Sequence, residues 1–324
     1  MSQVQKVLPT TTVGSFPKPE YLTKARFQFS KNQITQKQLE ELERKATREW
    51  IEFQEEIGID ILVDGEMYRG DMVTYFAENF KGFEISGLVR SYGNRFYRKP
   101  VAVAEIDRAN PVTVEWYKYA QSLTKRPVKG MLTGPYTIMD WSFDEYYPSR
   151  RDFCLRLAEV VHDEAKDLEA AGAQYIQIDE PAVSVRPEEL DLAIEAMGIV
   201  TKGLKAYTLT HICYGDFPKI YPKMLQIPVN QIDLELSNNE FDLLDLFKKS
   251  PFTSDIGLGV LDVHSHRVES SDEVKARIHK AMKFIPKEKI FVSPDCGLKT
   301  RGIEETKEKL KVMVQATNEI RESL

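Results

Sequence analysis

The stretch 206-AYTLTHICYGDF-217 opens as a strand and closes on residues that bind metals. Tyr207, Thr208, Leu209 and Thr210 are the aromatic, β-branched and aliphatic types that suit a pleated, buried strand. The run then ends in His211-Ile212-Cys213. Residues i and i+2 of a strand face the same side, so His211 and Cys213 can approach one ion together. The whole chain has three cysteines and five histidines. Placing one of each here asks for a reason, yet Cys and His are also ordinary core residues. The other strand ends decide between the two readings.

Short apolar, β-branched runs recur at 7–15, 59–66, 128–134, 174–181, 206–213, 230–237, 255–264 and 289–296. Helical patterns lie between them at 36–57, 113–125, 149–171, 187–203, 241–249, 271–285 and 303–322. Strands separated by helices imply parallel pairing, and eight such units imply a closed barrel. The expected fold class is therefore α/β, a (β/α)8 TIM-like barrel formed as a single domain over 1–324. An antiparallel β excursion at about 82–108 follows the second strand, with turns expected at Gly87 and at Gly93-Asn94. A doubly wound open sheet is the alternative. The first strand carries no GxGxxG opening a helix, which weakens a dinucleotide-binding version.

In a barrel of this kind the active site is built at the C-terminal ends of the strands. Those ends carry Gly14-Ser15, Asp64-Gly65-Glu66, Gly134-Pro135 with Trp141 soon after, Asp179-Glu180, His211-x-Cys213, Glu235, Asp262-x-His264 and Asp295-Cys296-Gly297. Nearly all offer groups that bind metal, move protons or hydrogen-bond a substrate. Glu235 and Cys296 could join His211 and Cys213 to complete a set of two thiolates, one imidazole and one carboxylate. Zinc accepts all three ligand types, and two thiolates favour it over magnesium or manganese. Cys154, on an apolar helical stripe, is the contrasting case and reads as core. His264 could serve as a general acid, but His266 competes for that role on spacing alone. Asp179 and Glu180 could hold substrate, or, as an acidic pair before Pro181, could cap the next helix. Trp141 could stack on a flat ligand or be core, and Glu66 could hold a substrate ammonium or be a solvated acid.

Composition narrows the class. A net charge of −6 and no broad basic stripe argue against nucleic acid as a partner. No apolar run approaches the roughly 18 residues of a membrane span. No signal-peptide pattern opens the chain, and three dispersed cysteines make no disulfide framework, so a reducing cytoplasmic setting is expected.

The segments 10-TTTVGSFP-17, 64-DGE-66, 71-DMVTYF-76, 133-TGPYTIMDWS-142, 177-QIDEPA-182, 211-HIC-213, 234-LELS-237, 262-DVHS-265 and 293-SPDCGLKTR-301 together resemble the catalytic C-terminal half of cobalamin-independent methionine synthase. They follow the family's order along nearly the whole chain. The resemblance implies a TIM-like barrel and a homocysteine S-methyltransferase that forms methionine. It implies one zinc ion held by His211, Cys213, Glu235 and Cys296, and homocysteine held by Val13, Gly14, Ser15, Glu66 and Asp179. It implies His264, rather than His266, as proton donor, and Trp141 as the residue stacking on the folate ring. An Arg-Cys pair that contacts folate in the family appears here as Arg95-Phe96, and the acidic folate contact after DEPA is replaced within 183-VSVRP-187. The family's N-terminal barrel has no counterpart in the sequence. The methyl donor is therefore expected to be a methylated pterin or folate, or a methyl-corrinoid protein, other than the polyglutamyl methyl-folate. A zinc-dependent alkyltransferase for a different thiol and a non-catalytic binder of zinc or a methyl carrier are the competing readings.

Overall fold

The computed structural model describes residues 6–90, 96–213, 215–239 and 241–324. Its helices are α1 (Glu20–Ser30), α2 (Gln36–Ile57), α3 (Thr74–Asn79), α4 (Val114–Ser122), α5 (Pro135–Asp140), α6 (Arg150–Ala170), α7 (Leu190–Val200), α8 (Phe217–Ile220), α9 (Leu244–Lys249), α10 (Ser271–Met282) and α11 (Ile303–Ser323). Its strands are β1 (Phe80–Arg90), β2 (Phe96–Arg108), β3 (Lys129–Thr133), β4 (Phe143–Asp144), β5 (Tyr175–Asp179), β6 (Tyr207–Ile212), β7 (Gln231–Leu234), β8 (Asp255–Gly259) and β9 (Ile290–Ser293). The chain divides into two units. One comprises Met1–Tyr68, Trp116–Lys129 and Asp233–Leu324, and the other Arg69–Glu115 and Gly130–Ile232.

In the first unit the strand order is β7-β8-β9, and β8 and β9 pair in parallel from Ile256↔Ile290 to Gly259↔Ser293. Helices α2 and α11 bury apolar stripes at helical spacing. In α2 these are Leu39, Ala46, Trp50, Ile51 and Phe53, and in α11 Leu310, Met313, Val314 and Ile320. A capping box between Thr35 and Gln38 starts α2, and Gly58 ends it in the left-handed conformation at φ 91°.

In the second unit the order is β3-β5-β6-β7, with β5 and β6 parallel from Tyr175↔Tyr207 to Gln177↔Leu209. Every residue of β3, β5 and β6 is buried, as expected of parallel strands covered on both faces. In each unit the order follows the sequence, without the reversal that marks a doubly wound sheet. The excursion is a hairpin. β1 and β2 pair antiparallel from Phe80↔Arg108 to Arg90↔Phe96, and β2 then pairs in parallel with β4. Its base is fixed by Glu164, which accepts the N–H groups of Val112 (2.9 Å) and Thr113 (2.7 Å) and pairs with Arg108. Cys154 is fully buried in α6, where burial pushes its thiol well above the ordinary value.

Several boundaries differ from the sequence reading. Gly87 lies inside β1 at a register irregularity, not at a turn. Gly93-Asn94 and Arg95 lie outside the described residues. The expected strands at 7–15 and 59–66 are extended segments of the first unit that carry the isolated bridges Thr10↔Val292 and Leu62↔Val128 in place of a full strand, with Asp60 N and Ile61 N donating to the Thr10 carbonyl (both 3.1 Å). Side chains add to these backbone bonds. The Gln54 amide donates to the Val63 carbonyl (2.9 Å) and accepts its N–H (3.0 Å). Asp60 accepts from Thr10 N (2.9 Å), Thr10 Oγ1 (3.0 Å) and Lys6 Nζ (2.7 Å), and from Arg321 of α11. Burial disfavours the Asp60 carboxylate, but the bonds from Lys6, Thr10 and Arg321 outweigh it and hold the pKa below its ordinary value.

A depressed carboxyl pKa contributes stability that is present above the unfolded value of about 3.9 and is lost as pH falls through the folded value. Asp60→Asn should lower unfolding free energy by about 2–4 kcal/mol near neutrality. In denaturant titrations across pH, the gap between the two proteins should narrow below about pH 4. A gap independent of pH would contradict this role for Asp60.

Candidate active site and metal-binding pair

In the second unit, β6 delivers His211 and Cys213 at its C-terminal end, both buried at 3% exposure. Their ligating atoms lie within 4.8 Å of each other, close enough for one metal ion. Imidazole and thiolate are both zinc ligands, so the donors fit that ion. The backbone here is held from outside the strand. Ser184 Oγ donates to the carbonyls of Cys213 (2.8 Å) and Pro181 (3.0 Å), and Glu180 N donates to the His211 carbonyl (3.0 Å).

Asp179 and Glu180, adjacent at the end of β5, part company. Asp179 stays near the strand and accepts from Gln177 Nε2 at 2.7 Å. Glu180 turns inward, 1% exposed, and caps α5. Its carboxylate accepts Tyr136 N (3.0 Å), Thr137 N (2.8 Å) and Thr137 Oγ1 (2.6 Å). Burial raises the Glu180 pKa to about 7 despite the opposing bonds from Thr137 and Tyr136. Glu180 therefore caps α5, which precedes it in the chain, and not the helix that follows it as the sequence allowed. The cap depends on Gly134, since a Cβ there would stand 2.1 Å from Glu180 Cδ. Helix α5 ends at Trp141, which is half-buried, and Tyr97 Oη donates to its carbonyl at 3.2 Å. The neighbouring Asp140 pairs with Arg150 and Arg186, each at 2.8 Å.

In the first unit, Glu235 follows β7 and is 2% exposed. Its Oε1 accepts Asn238 Nδ2 at 2.6 Å and lies 3.6 Å from His264 Nε2. The Glu235 carboxylate beside it raises the His264 pKa above its ordinary value, against the lowering effect of burial. Cys296 follows β9, half-buried, and its charge acts on His264 in the same direction. His266, by contrast, points away and pairs with Glu305 of α11 (3.0 Å), with its side chain 79% exposed. Asp295 orders the backbone after Glu235 by accepting the N–H groups of Leu236 (3.1 Å), Ser237 (3.0 Å) and Asn238 (2.8 Å). Burial raises its pKa to about 7 in spite of those bonds.

The same unit brings Ser15, Glu66 and Gly297 into one corner. Leu298 N donates to the Ser15 carbonyl (2.7 Å), and a Cβ on Gly297 would stand 2.2 Å from Ser15 Oγ. Phe16 N donates to the Gly65 carbonyl (3.1 Å). Glu66 adopts φ 57°, a left-handed conformation that is strained for a side chain of its type. Asp64 Oδ1 accepts its N–H at 2.9 Å and Lys18 Nζ donates to its carbonyl at 3.2 Å. Burial, aided by Arg26, lowers the Lys18 pKa to about 8. Val13 is buried beside Gly14.

The sequence reading missed the holding roles of Ser184, Asn238, Lys18 and Asp295, and the distant helix that Glu180 caps. Asn238, three residues after the candidate ligand Glu235, and Asp295, next to Cys296, lay close enough to a ligand in sequence to be suspected.

Residues 8–319 match the family model for the catalytic domain of cobalamin-independent synthases. An α/β chain with parallel strands, carrying metal-ligating and proton-carrying groups at strand ends, defines the class. The chain belongs to the cobalamin-independent synthase catalytic-domain family. The 5-methyltetrahydropteroyltriglutamate–homocysteine methyltransferase of Flavobacterium johnsoniae is 44% identical over 98% of this chain, and that of Streptococcus thermophilus 41% over 98%. The chain spans 43% and 44% of their respective lengths. Among solved structures, a B12-independent methionine synthase from Shewanella sp. W3-18-1 in complex with selenomethionine superposes with a TM-score of 0.88 at 29% identity, covering 98% of this chain and 99% of that one. A Listeria monocytogenes structure shares the fold at a TM-score of 0.81 and 22% identity, with 98% and 99% covered. Among the described residues, no helix is long and apolar enough to cross a membrane.

Gly134→Ala should destabilise the protein by about 1–3 kcal/mol, because the new methyl must displace a fully buried carboxylate. Chemical denaturation tests this, and a change below about 0.5 kcal/mol would show that Glu180 has room to yield.

Proposed function

We propose that this chain is a zinc-dependent homocysteine S-methyltransferase that forms methionine and takes its methyl group from a methylated pterin of the folate type. The observation that carries the reading is the buried His211–Cys213 pair at the end of β6 in a chain of this family. The whole span, 1–324, then acts as one catalytic barrel domain. His211, Cys213, Glu235 and Cys296 are the proposed ligands of one zinc ion, a donor set that zinc accepts and magnesium does not favour. Asn238 on Glu235 and Ser184 on the Cys213 carbonyl are the outer contacts that orient two of these ligands.

A free thiol with a pKa near 8.5 is mostly protonated at pH 7, a deficit of about 2 kcal/mol for the thiolate. Zinc, when bound, supplies the positive charge that favours the thiolate and does no redox chemistry of its own. The protein's residues do the rest. Glu66 and Asp179 receive the substrate ammonium, and Val13, Gly14 and Ser15 hold the amino-acid end. Trp141 stacks on the pterin ring, and Arg95 contacts the donor. The sulfur lone pair forms the new S–CH3 bond as the N–CH3 bond breaks, and the departing nitrogen keeps that electron pair. His264 gives the nitrogen its proton. A general acid in such a step is worth about 10²–10⁴ in rate.

A pterin-type donor lies within the sequence expectation, and only the exclusion of the polyglutamyl form departs from it. Relatives matching 98% of this chain are named for methyltetrahydropteroyltriglutamate, which favours the polyglutamyl methyl-pterin that Arg95-Phe96 and 183-VSVRP-187 argued against. Nothing in their names points to a methyl-corrinoid donor. A cytoplasmic setting suits such an enzyme.

Cys213→Ser should lose both zinc and turnover, read by metal analysis and methionine formation; a variant keeping stoichiometric zinc would remove Cys213 from the ligand set. His264→Asn should retain zinc and homocysteine binding while slowing transfer by about 10²–10⁴. Normal turnover in that variant would rule out His264 as the acid.

A further inference from the structure

Lys309 lies in α11, and its side chain is 0% exposed. A buried ammonium is costly unless it is paired and fully hydrogen-bonded. Its three N–H donors have three acceptors. They are Glu269 Oε2 at 2.9 Å, the Asp262 carbonyl at 3.1 Å and the Arg267 carbonyl. All three belong to the segment between β8 and α10 that carries His264.

The segment is tied from within as well. Glu269 is 3% exposed, and its other oxygen accepts Asp262 N at 2.8 Å. Asp262 Oδ1 in turn accepts the N–H groups of His264 (2.8 Å) and Ser265 (3.3 Å). A continuous chain of bonds therefore runs from Lys309 through Glu269 and Asp262 to the backbone of His264. Outside this chain, Arg277 approaches Glu269 at 3.6 Å but spends a closer bond, 2.7 Å, on the Val260 carbonyl. A solvent-exposed loop would need no buried cation, whereas a loop that must present one imidazole at a fixed place does.

We infer that Lys309, acting with Glu269 through Asp262, is a positioning residue that sets the His264 imidazole for proton transfer. The inference rests on the reading of His264 as the acid. If Lys309 acts through His264, its loss must matter only while His264 is present.

The test is a double-mutant cycle on the zinc-loaded full chain. Replacing both charges, Lys309→Met with Glu269→Leu, leaves neither member of the pair buried alone. This change should lower kcat by about ten-fold or more, with zinc content and the homocysteine KM unchanged. In a His264→Asn background the same pair of replacements should change kcat by less than about two-fold. Equal losses in both backgrounds would show a general structural role and overturn the inference, as would unchanged kcat in the parent. Asp262→Ala, at a half-buried position, breaks the link to His264 without touching the buried pair. It should show the same dependence on His264, and an additive effect there would also overturn the inference. A His264→Asn protein with normal turnover would instead remove the acid reading itself.

Discussion

A strand ladder has to stop somewhere, and where it stops the next backbone N–H groups lose their partners. Buried and unpaired, each would cost about 1–3 kcal/mol. This protein meets that constraint repeatedly with buried or half-buried carboxylates. Glu180 collects the first amides of α5, Asp295 the three amides after Glu235, Asp262 those of His264 and Ser265, and Glu269 that of Asp262. Glu164 does the same at the base of the β1–β2 hairpin. Two segments of the candidate site, those after Glu235 and around His264, have their amides bound in this way.

That arrangement explains how chemistry can sit on loops without looseness. A metal pair or a proton donor must be held to within a fraction of an ångström, and strands supply such precision more readily than loops. His211 and Cys213 have it directly, at the end of a buried strand. The segments of Glu235 and His264 acquire it from the carboxylates of Asp295 and Asp262. The electrostatic consequence shows in Glu180 and Asp295, whose burial raises both pKa values to about 7. Their carboxyl groups are kept for the hydrogen bonds they accept rather than for easy ionisation. The proposed ligand Glu235 also has partners other than a metal, Asn238 at 2.6 Å and His264 at 3.6 Å. A tetrahedral set of four protein ligands has no open position, so an oxygen ligand with such partners is the one best able to yield to substrate.

Much of this was legible in the sequence, because strand ends are marked by a change of residue type. The alternation of buried runs and helical stripes located β3, β5, β6, β7, β8 and β9, and the resemblance ordered the candidate residues along them. What escaped was set by contacts far apart in sequence. Glu180 looked like a substrate ligand or a local cap, and its true partner, Thr137, is 43 residues away. The segments at 7–15 and 59–66 read as strands, yet they form isolated bridges, with Asp60 and Gln54 adding side-chain bonds to their backbone. Nothing in 303-IEETKEKLKVMVQATNEIRES-323 marks Lys309 as a residue turned fully inward. The excursion was recognised, but Gly87 was taken for a turn because glycine serves strand irregularities as well as turns.

The central claim is that a metal held by His211, Cys213, Glu235 and Cys296 receives the thiol of the substrate. X-ray absorption at the zinc edge, recorded on the zinc-loaded protein with and without homocysteine, tests it most directly. The account predicts one sulfur neighbour gained and one oxygen neighbour lost or lengthened when homocysteine is bound. An unchanged coordination shell, with homocysteine shown to be bound, would contradict it.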